Sequence, residues 1–256
     1  MSRVISYNNK IISYNNSILN ESFDPSVISG LQIWVKADAG ITLNSGNVSI
    51  WANQSNSGSS YNFTQSASTA QPLYVQNGIN GLPSVRFNGT NQTLYQSVNR
   101  IYTAGQLTFF VCMKIENTGL LSVLGSQFFE RDINGSGAIM YGLYGQSSGY
   151  AVTGYDHGGE QVVVSNNLTI DKWYIISNQN INGQSSVFYR NGVNIGTANG
   201  SDSNIFQNIG SSRNYTNTMD MFLNGDISEI LIYNAALSSN NITNVNNYLN
   251  AKYGIY

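Results

Sequence analysis

The sequence predicts an all-β sandwich or barrel closed by a single C-terminal helix, and three observations predict it. Short strand-like runs recur along most of the chain with turn residues between them. Asn-Gly, the strongest short hairpin signal, falls between such runs at Asn182-Gly183 and Asn191-Gly192. The one good helical stripe lies at the end, where Ile242, Val245, Leu249 and Tyr253 recur at spacings of three and four.

The chain opens on a repeat. Ile5-Ser6-Tyr7-Asn8-Asn9-Lys10-Ile11 is followed by Ile12-Ser13-Tyr14-Asn15-Asn16-Ser17-Ile18. Period seven hints at a coiled coil, but Ile and Tyr favour strands and Asn tolerates positive φ in turns. Residues 1–20 therefore read as short β ribbons turning at Asn8-Asn9 and Asn15-Asn16. A piece this small needs a partner, which makes it an oligomerisation or anchoring arm. Residues 21–26 read as a linker with a turn at Asp24-Pro25, and 27–256 as the folded domain. Within it the strand candidates are Leu31–Lys36, Val48–Trp51, Ser84–Phe87, Leu107–Lys114, Leu121–Leu124 and Ile139–Leu143. Gln161–Val164, Trp173–Ser177, Ser186–Arg190 and Ile227–Tyr233 complete the set. In the last run Ser228, Ile230 and Ile232 share one parity, which is expected to face the core later in the run. For the helix, Ser238 or Ser239 can cap the start and Gly254 can end it at positive φ.

Composition narrows the function classes. Charged residues are only 9% of the chain, against about a quarter in ordinary proteins. The 17 Tyr, 10 Phe and 3 Trp nevertheless supply enough burial area to fold. A net charge of −2 offers no basic face for phosphates, so nucleic acid is not an expected partner. No stretch approaches a membrane span, so no membrane insertion is expected. The first twenty residues hold no apolar block of signal-peptide length. An extracellular role would then be reached by another route, such as assembly into a virus particle. The single cysteine, Cys112, sits in an apolar run and reads as a small buried thiol.

Several blocks in fixed order resemble the laminin G-like jelly rolls of the concanavalin A-like lectin/glucanase superfamily. They are Leu31-Gln32-Ile33-Trp34-Val35-Lys36-Ala37-Asp38, Val48-Ser49-Ile50-Trp51-Ala52-Asn53-Gln54-Ser55, Gln71-Pro72-Leu73-Tyr74 and Asn80 to Gly89. Leu107-Thr108-Phe109-Phe110-Val111, Phe188-Tyr189-Arg190-Asn191-Gly192, Gly225 to Asn234, Leu237-Ser238 and Tyr248 to Gly254 follow. The resemblance covers about residues 27–255 and implies a two-sheet antiparallel jelly-roll sandwich. It implies little about function, because this fold carries lectins, hydrolases, adhesion modules and virion proteins alike. The Tyr-Asn-Asn repeats of the arm resemble N-terminal segments of phage structural proteins.

Candidate chemistry was weighed residue by residue. His157 is the only histidine, and it sits in Tyr155-Asp156-His157-Gly158-Gly159 without a nucleophile signature. With one His and one Cys, a zinc site is not expected. Glu130 and Asp132 can share a strand face, as a glycosidase pair requires, but Asn134-Gly135 and the neighbouring Arg131 favour a turn with charge pairing. Asp226 follows Asn224-Gly225 and reads as a turn cap. A calcium ion is the one cofactor admitted, with Asp156, Asp220 and Asp226 as candidate ligands, since calcium accepts scattered loop oxygens. For glycans the candidate contacts are Tyr141, Tyr144, Tyr150, Tyr155, Asp156 and His157. This stretch combines tyrosines, amides and glycines, and sugars stack their C–H faces on aromatic rings.

The reading is a non-enzymatic, surface-displayed structural or binding module. The expected setting is a phage virion surface, as a capsid decoration, head-fibre or tail-fibre protein. There, residues 1–20 would contact copies of the chain or other virion proteins, and a host glycan would be the ligand. A secreted bacterial lectin-like module, extracellular, is the alternative, and a polysaccharide hydrolase the second alternative.

Overall fold

The computed structural model describes residues 23–96, 106–116, 168–181, 186–197, 208–211 and 222–256 in full. By backbone alone it describes the remaining strand residues 4–7, 10–14, 17–18, 140–146, 149–155, 161–167, 198, 212–213 and 219–220. The chain is mostly β. Its largest unit is an antiparallel sheet of 13 strands, and a single α-helix, Ser239–Tyr253, stands near the end of the described chain.

The centre of the sheet is the strand Leu107–Ile115, between Trp173–Asn180 and Asn224–Tyr233. On the far side, Asn224–Tyr233 divides its pairing. Its first residues pair with Leu82–Asn88 and its last with Leu31–Lys36. From Leu82–Asn88 the path continues through Leu73–Ile79 and Asn47–Trp51 to the short strands Phe63–Thr64, Leu94–Tyr95 and Asn208–Ile209. Trp51, Phe63, Leu94 and Ile209 from that end share one buried cluster with Phe109, Ile176 and Phe188 from the centre. The sheet therefore curls over on itself into two facing layers, the sandwich that the strand spacing predicts.

Leu107–Ile115 is buried on both faces. Leu107, Phe109, Val111, Met113 and Ile115 point between the layers, while Phe110 and Cys112 point the other way, toward the helix. The helix covers that second face with Ile242, Val245, Leu249 and Tyr253, the stripe read from sequence. Ser238 Oγ accepts from the Asn241 N–H at 3.3 Å, and Gly254 closes the helix at φ 62°. Cys112 is fully buried, as a small apolar side chain would be.

The strands found extend most of the expected runs by one to three residues, as in Trp173–Asn180 and Leu82–Asn88. The Asn191-Gly192 hairpin is present, with φ 53° and 76° at its two residues. Asn182-Gly183 and the run Leu121–Leu124 lie outside the described residues. In the arm, Val4–Tyr7, Lys10–Tyr14 and Ser17–Ile18 form a three-stranded antiparallel sheet of their own, with 8–9 and 15–16 between the strands.

Two features add to the sequence reading. In Asn224–Tyr233 a bulge absorbs Ser228, so Cys112 opposes Glu229 while Met113 opposes Ile227. Ile227, Ile230 and Ile232 then face the sandwich core, and Asp226, Glu229, Leu231 and Tyr233 face the helix side. Ile230 and Ile232 thus face the core as expected, and the run is buried on both faces. Packing also begins before residue 27. Phe23 rests on the helix-side cluster, Pro25 is buried, and Tyr233 O–H donates to the Pro25 carbonyl at 3.1 Å.

Candidate functional site

A buried carboxylate must meet donors, because desolvation makes an unpaired charge costly. The bulge at Ser228 puts two carboxylates on the helix-bearing face, and each has gathered partners. Asp226 is fully buried beside two cationic neighbours in register, Arg86 and Lys114. Arg86 donates through Nε at 2.7 Å and through its terminal nitrogen at 2.9 Å, and Lys114 Nζ lies 3.1 Å away. Glu116 completes the network, 3.0 Å from Arg86 and 2.8 Å from Lys114. The bidentate bond to Asp226 raises the Arg86 guanidinium above its ordinary range. Asp226 is therefore the anion of a buried ion-pair network. This corrects its reading as a turn cap, and both of its oxygens are engaged without a metal.

Glu229 is the second hub and is also fully buried. Its Oε1 accepts from Trp34 Nε1–H at 2.6 Å and from Tyr248 O–H at 2.9 Å. Its Oε2 accepts from Lys252 Nζ at 2.7 Å and from Tyr253 O–H at 2.8 Å. Lys252 also reaches Asp38, at 3.0 Å. Tyr248, Lys252 and Tyr253 come from one side of the helix and Trp34 from the edge strand, so this carboxylate pins helix to sheet. Burial first, and the Glu229 charge second, push the Tyr248 and Tyr253 phenols above their ordinary range, and both remain donors.

Above this hub opens a groove of ≈ 770 Å³. Phe23 and Pro25 form one wall, the helix residues Asn244, Asn247, Tyr248 and Ala251 the other, and Trp34, Lys36 and Asp38 the floor and end. Its rings stand at angles to one another. Trp34 and Tyr248 are 6.4 Å apart at 76°, and Phe23 and Tyr248 6.4 Å apart at 60°. All three are partly exposed, and Asn244 and Asn247 are exposed. The Glu229 bonds fix Trp34 and Tyr248 in place, so the aromatic lining is preorganised. Lys36 lays its Nζ over the Trp34 ring, 4.3 Å from the centroid.

None of the expected glycan residues is among the groove's described lining. Tyr141 and Tyr144 are on Met140–Gln146, and Tyr150 and Tyr155 on Gly149–Tyr155, the two strands of one hairpin. Its register matches Tyr144 with Ala151 and Tyr155 with Met140, but Tyr141 with Gly154 and Tyr150 with Gly145. The four tyrosines thus divide into two pairs at opposite parity. Asp156, His157, Glu130 and Asp132 lie outside the described residues, and Asp220 is described by its backbone in Met219–Asp220. Among the described residues no group of three or more His, Cys, Asp or Glu is placed to hold a metal ion.

Sequence reasoning missed the groove. Its hub joins residues 195 positions apart in the chain, and no local pattern spans that distance. One signal was available: a carboxylate inside the apolar run Ile227–Tyr233 has to find donors, and Tyr248, Lys252 and Tyr253 stand on one side of the predicted helix.

No known family pattern matches the chain, and no curated protein matches it in sequence. Solved structures do match in fold. Domain 4 of AbnA, a GH43 extracellular arabinanase from Geobacillus stearothermophilus, solved in complex with arabinotriose, aligns with a TM-score of 0.58 at 14% identity. The alignment covers 84% of this chain and 97% of that domain. The binding domain of Paraclostridial Mosquitocidal Protein 1 aligns at 0.55 and 15% identity, over 86% of this chain and 52% of that one. Trypanosoma rangeli sialidase aligns at 0.55 and 14%, over 88% of this chain and 33% of the sialidase. The chain thus spans about half of the one and a third of the other, and at these identities the likeness is one of fold.

Proposed function

We propose that this chain is a non-enzymatic, surface-displayed glycan-binding module, and that the groove between Trp34 and the helix is its sugar site. One observation carries the reading: Trp34 and Phe23, each set at an angle to Tyr248, line with it a groove rimmed by exposed Asn244 and Asn247, and a buried carboxylate holds Trp34 and Tyr248. Sugar C–H faces stack on such rings, and side-chain amides bond the hydroxyls. The shared fold with an arabinanase domain solved with arabinotriose supports the class of ligand. A non-catalytic role is supported by the two acids of Asn224–Tyr233, which are both engaged by donors, whereas glycoside hydrolysis needs a pair of carboxylates free to flank the scissile bond.

The finer setting is a phage virion component anchored through residues 1–20. The arm's strands of four, five and two residues are too small a sheet to stand alone, which supports assembly with copies or neighbours.

A glycan array probed with the full chain, followed by calorimetry of the best ligand, tests the sugar site. Trp34→Phe and Tyr248→Ala are each expected to weaken binding by about tenfold, from the stacking and hydrogen bonds lost. Far-ultraviolet spectra and melting curves of both variants check that they fold. Binding that ignores both substitutions places the sugar elsewhere, and no binding to any glycan ends the reading. Deleting residues 1–20 is expected to leave a folded domain of lower oligomeric mass. A truncated chain that assembles like its parent refutes the anchoring role.

A further inference from the structure

We infer that the saccharide taken by this groove carries an ammonium group, as a hexosamine with a free amine does. The inference rests on the glycan reading above and names the ligand class within it.

The first ground is charge. Two lysines, Lys36 and Lys252, meet three carboxylates, Asp24, Asp38 and, beneath them, Glu229, which leaves the groove one negative charge over. Lys252 is committed to Asp38 and Glu229. Asp24 is exposed at the lip, where its Oδ1 accepts from the Ser26 N–H at 2.9 Å. An anionic sugar would meet a net like charge here, and a cationic one its complement.

The second ground is the rings. Angled aromatic faces beside carboxylates are the surroundings that attract an ammonium group, through the negative faces of the rings. The molecule already displays this use: the Lys36 Nζ rests over Trp34 at 4.3 Å and forms no ion pair among the described residues. Lys36 is thus an internal occupant of a cation seat. A ligand ammonium takes that seat as Lys36 swings out to solvent, and the sugar ring then lies along Tyr248 and Phe23 with its hydroxyls toward Asn244 and Asn247.

This arrangement fixes the sign of a simple substitution. Lys36→Met keeps the aliphatic stem but removes the competing cation, so an amine-bearing sugar binds more tightly to it. An acidic sugar would bind more weakly.

The test titrates the full chain at low salt with three probes: the trimer of glucosamine, its fully N-acetylated counterpart and choline. The glucosamine trimer is expected to bind at least about fivefold tighter than the acetylated trimer, with the preference shrinking as salt is added. Lys36→Met is expected to tighten the glucosamine trimer by about threefold to tenfold. Asp24→Asn, which preserves the cap on Ser26, is expected to loosen it by about threefold. Equal binding of the two trimers, or loosening by Lys36→Met, overturns the ammonium inference and leaves the glycan reading standing. Choline bound with neither trimer bound overturns the amino-sugar class and leaves the glycan reading to the array. No binding of any probe overturns the inference, and the glycan array then decides separately on the wider reading.

Discussion

Replacing Glu229 with glutamine keeps the size of the side chain and removes its charge, at a position with no exposure to solvent. The amide oxygen can still accept from Trp34 and Tyr248, and the Tyr253 hydroxyl can rotate to accept from the new NH2 group. Lys252 has no such recourse. Its Nζ, now 2.7 Å from Glu229 Oε2, would face another donor, with Asp38 at 3.0 Å its only remaining carboxylate. The loss comprises one charge-assisted hydrogen bond, about 1.5–3 kcal/mol, and a poorly matched buried donor, about 1–3 kcal/mol. Since 16% of the Lys252 side chain is exposed, some of that second cost is relieved by water. The expected destabilisation is about 3 kcal/mol, the low end for breaking a buried pair. In urea, with a slope of about 3 kcal/mol per molar for a domain of this size, the midpoint falls by about 1 M. Tryptophan fluorescence follows the transition directly, because Trp34 touches the substituted group. Tyr253→Phe, which removes one neutral donor of the four, should cost about 1 kcal/mol. A midpoint shift under about 0.3 M for Glu229→Gln would refute the account of Glu229 as the charged pin between helix and sheet.

Other expectations follow from the same face of the sheet. Asp226→Asn leaves Arg86 and Lys114 with Glu116 as their remaining described carboxylate partner and removes the fully buried one, and a loss of about 2–4 kcal/mol in the same urea assay is expected; an unchanged midpoint would mean that the pair is solvated. Burial raises the Tyr233, Tyr248 and Tyr253 phenols above the ordinary value of 10.0. Unfolded tyrosines release protons near pH ~10 that these retain, so their contribution is complete below that pH and is lost as the pH rises beyond it. Phenolate absorbance should therefore show a late fraction that appears together with the loss of folded structure; a single early titration of all 17 tyrosines contradicts this. Burial likewise pushes the Cys112 thiol well up, so a thiol reagent should label the single cysteine at the rate of unfolding, and fast labelling of native protein would be inconsistent with its placement. Gly210→Ala puts a methyl group into the Phe87 ring at a φ of 86°, and should cost at least about 2 kcal/mol in thermal unfolding.

The readable parts of this fold were those with local grammar. Alternating and apolar runs placed the central strands, Asn191-Gly192 placed a hairpin, and Ser238, the Ile242 stripe and Gly254 placed the helix with both of its caps. Ile230 and Ile232 face the core as their parity predicts, but the bulge at Ser228 was not legible; because the side-chain period is two, that one extra residue turns Ile227 to the core as well. The ion pairs were hidden for a different reason. Asp226 beside Asn224-Gly225 looks like turn chemistry until Arg86, from a strand far away in sequence, is seen opposite it. The tyrosine-rich hairpin drew attention by composition, whereas the groove is made of scattered residues, Phe23, Trp34 and Tyr248, that become neighbours only when the two ends of the domain meet.

That meeting has a mechanical consequence. Phe23 is both a wall of the groove and the first fully described residue at the N-terminal side of the domain, and Tyr248 faces it from the helix. Tension applied at Phe23–Pro25 is resisted by the Tyr233 bond to Pro25 and by the tilted contact of Phe23 with Tyr248. A pull on residue 23 therefore bears on the groove wall itself, through the four residues Phe23, Pro25, Tyr233 and Tyr248.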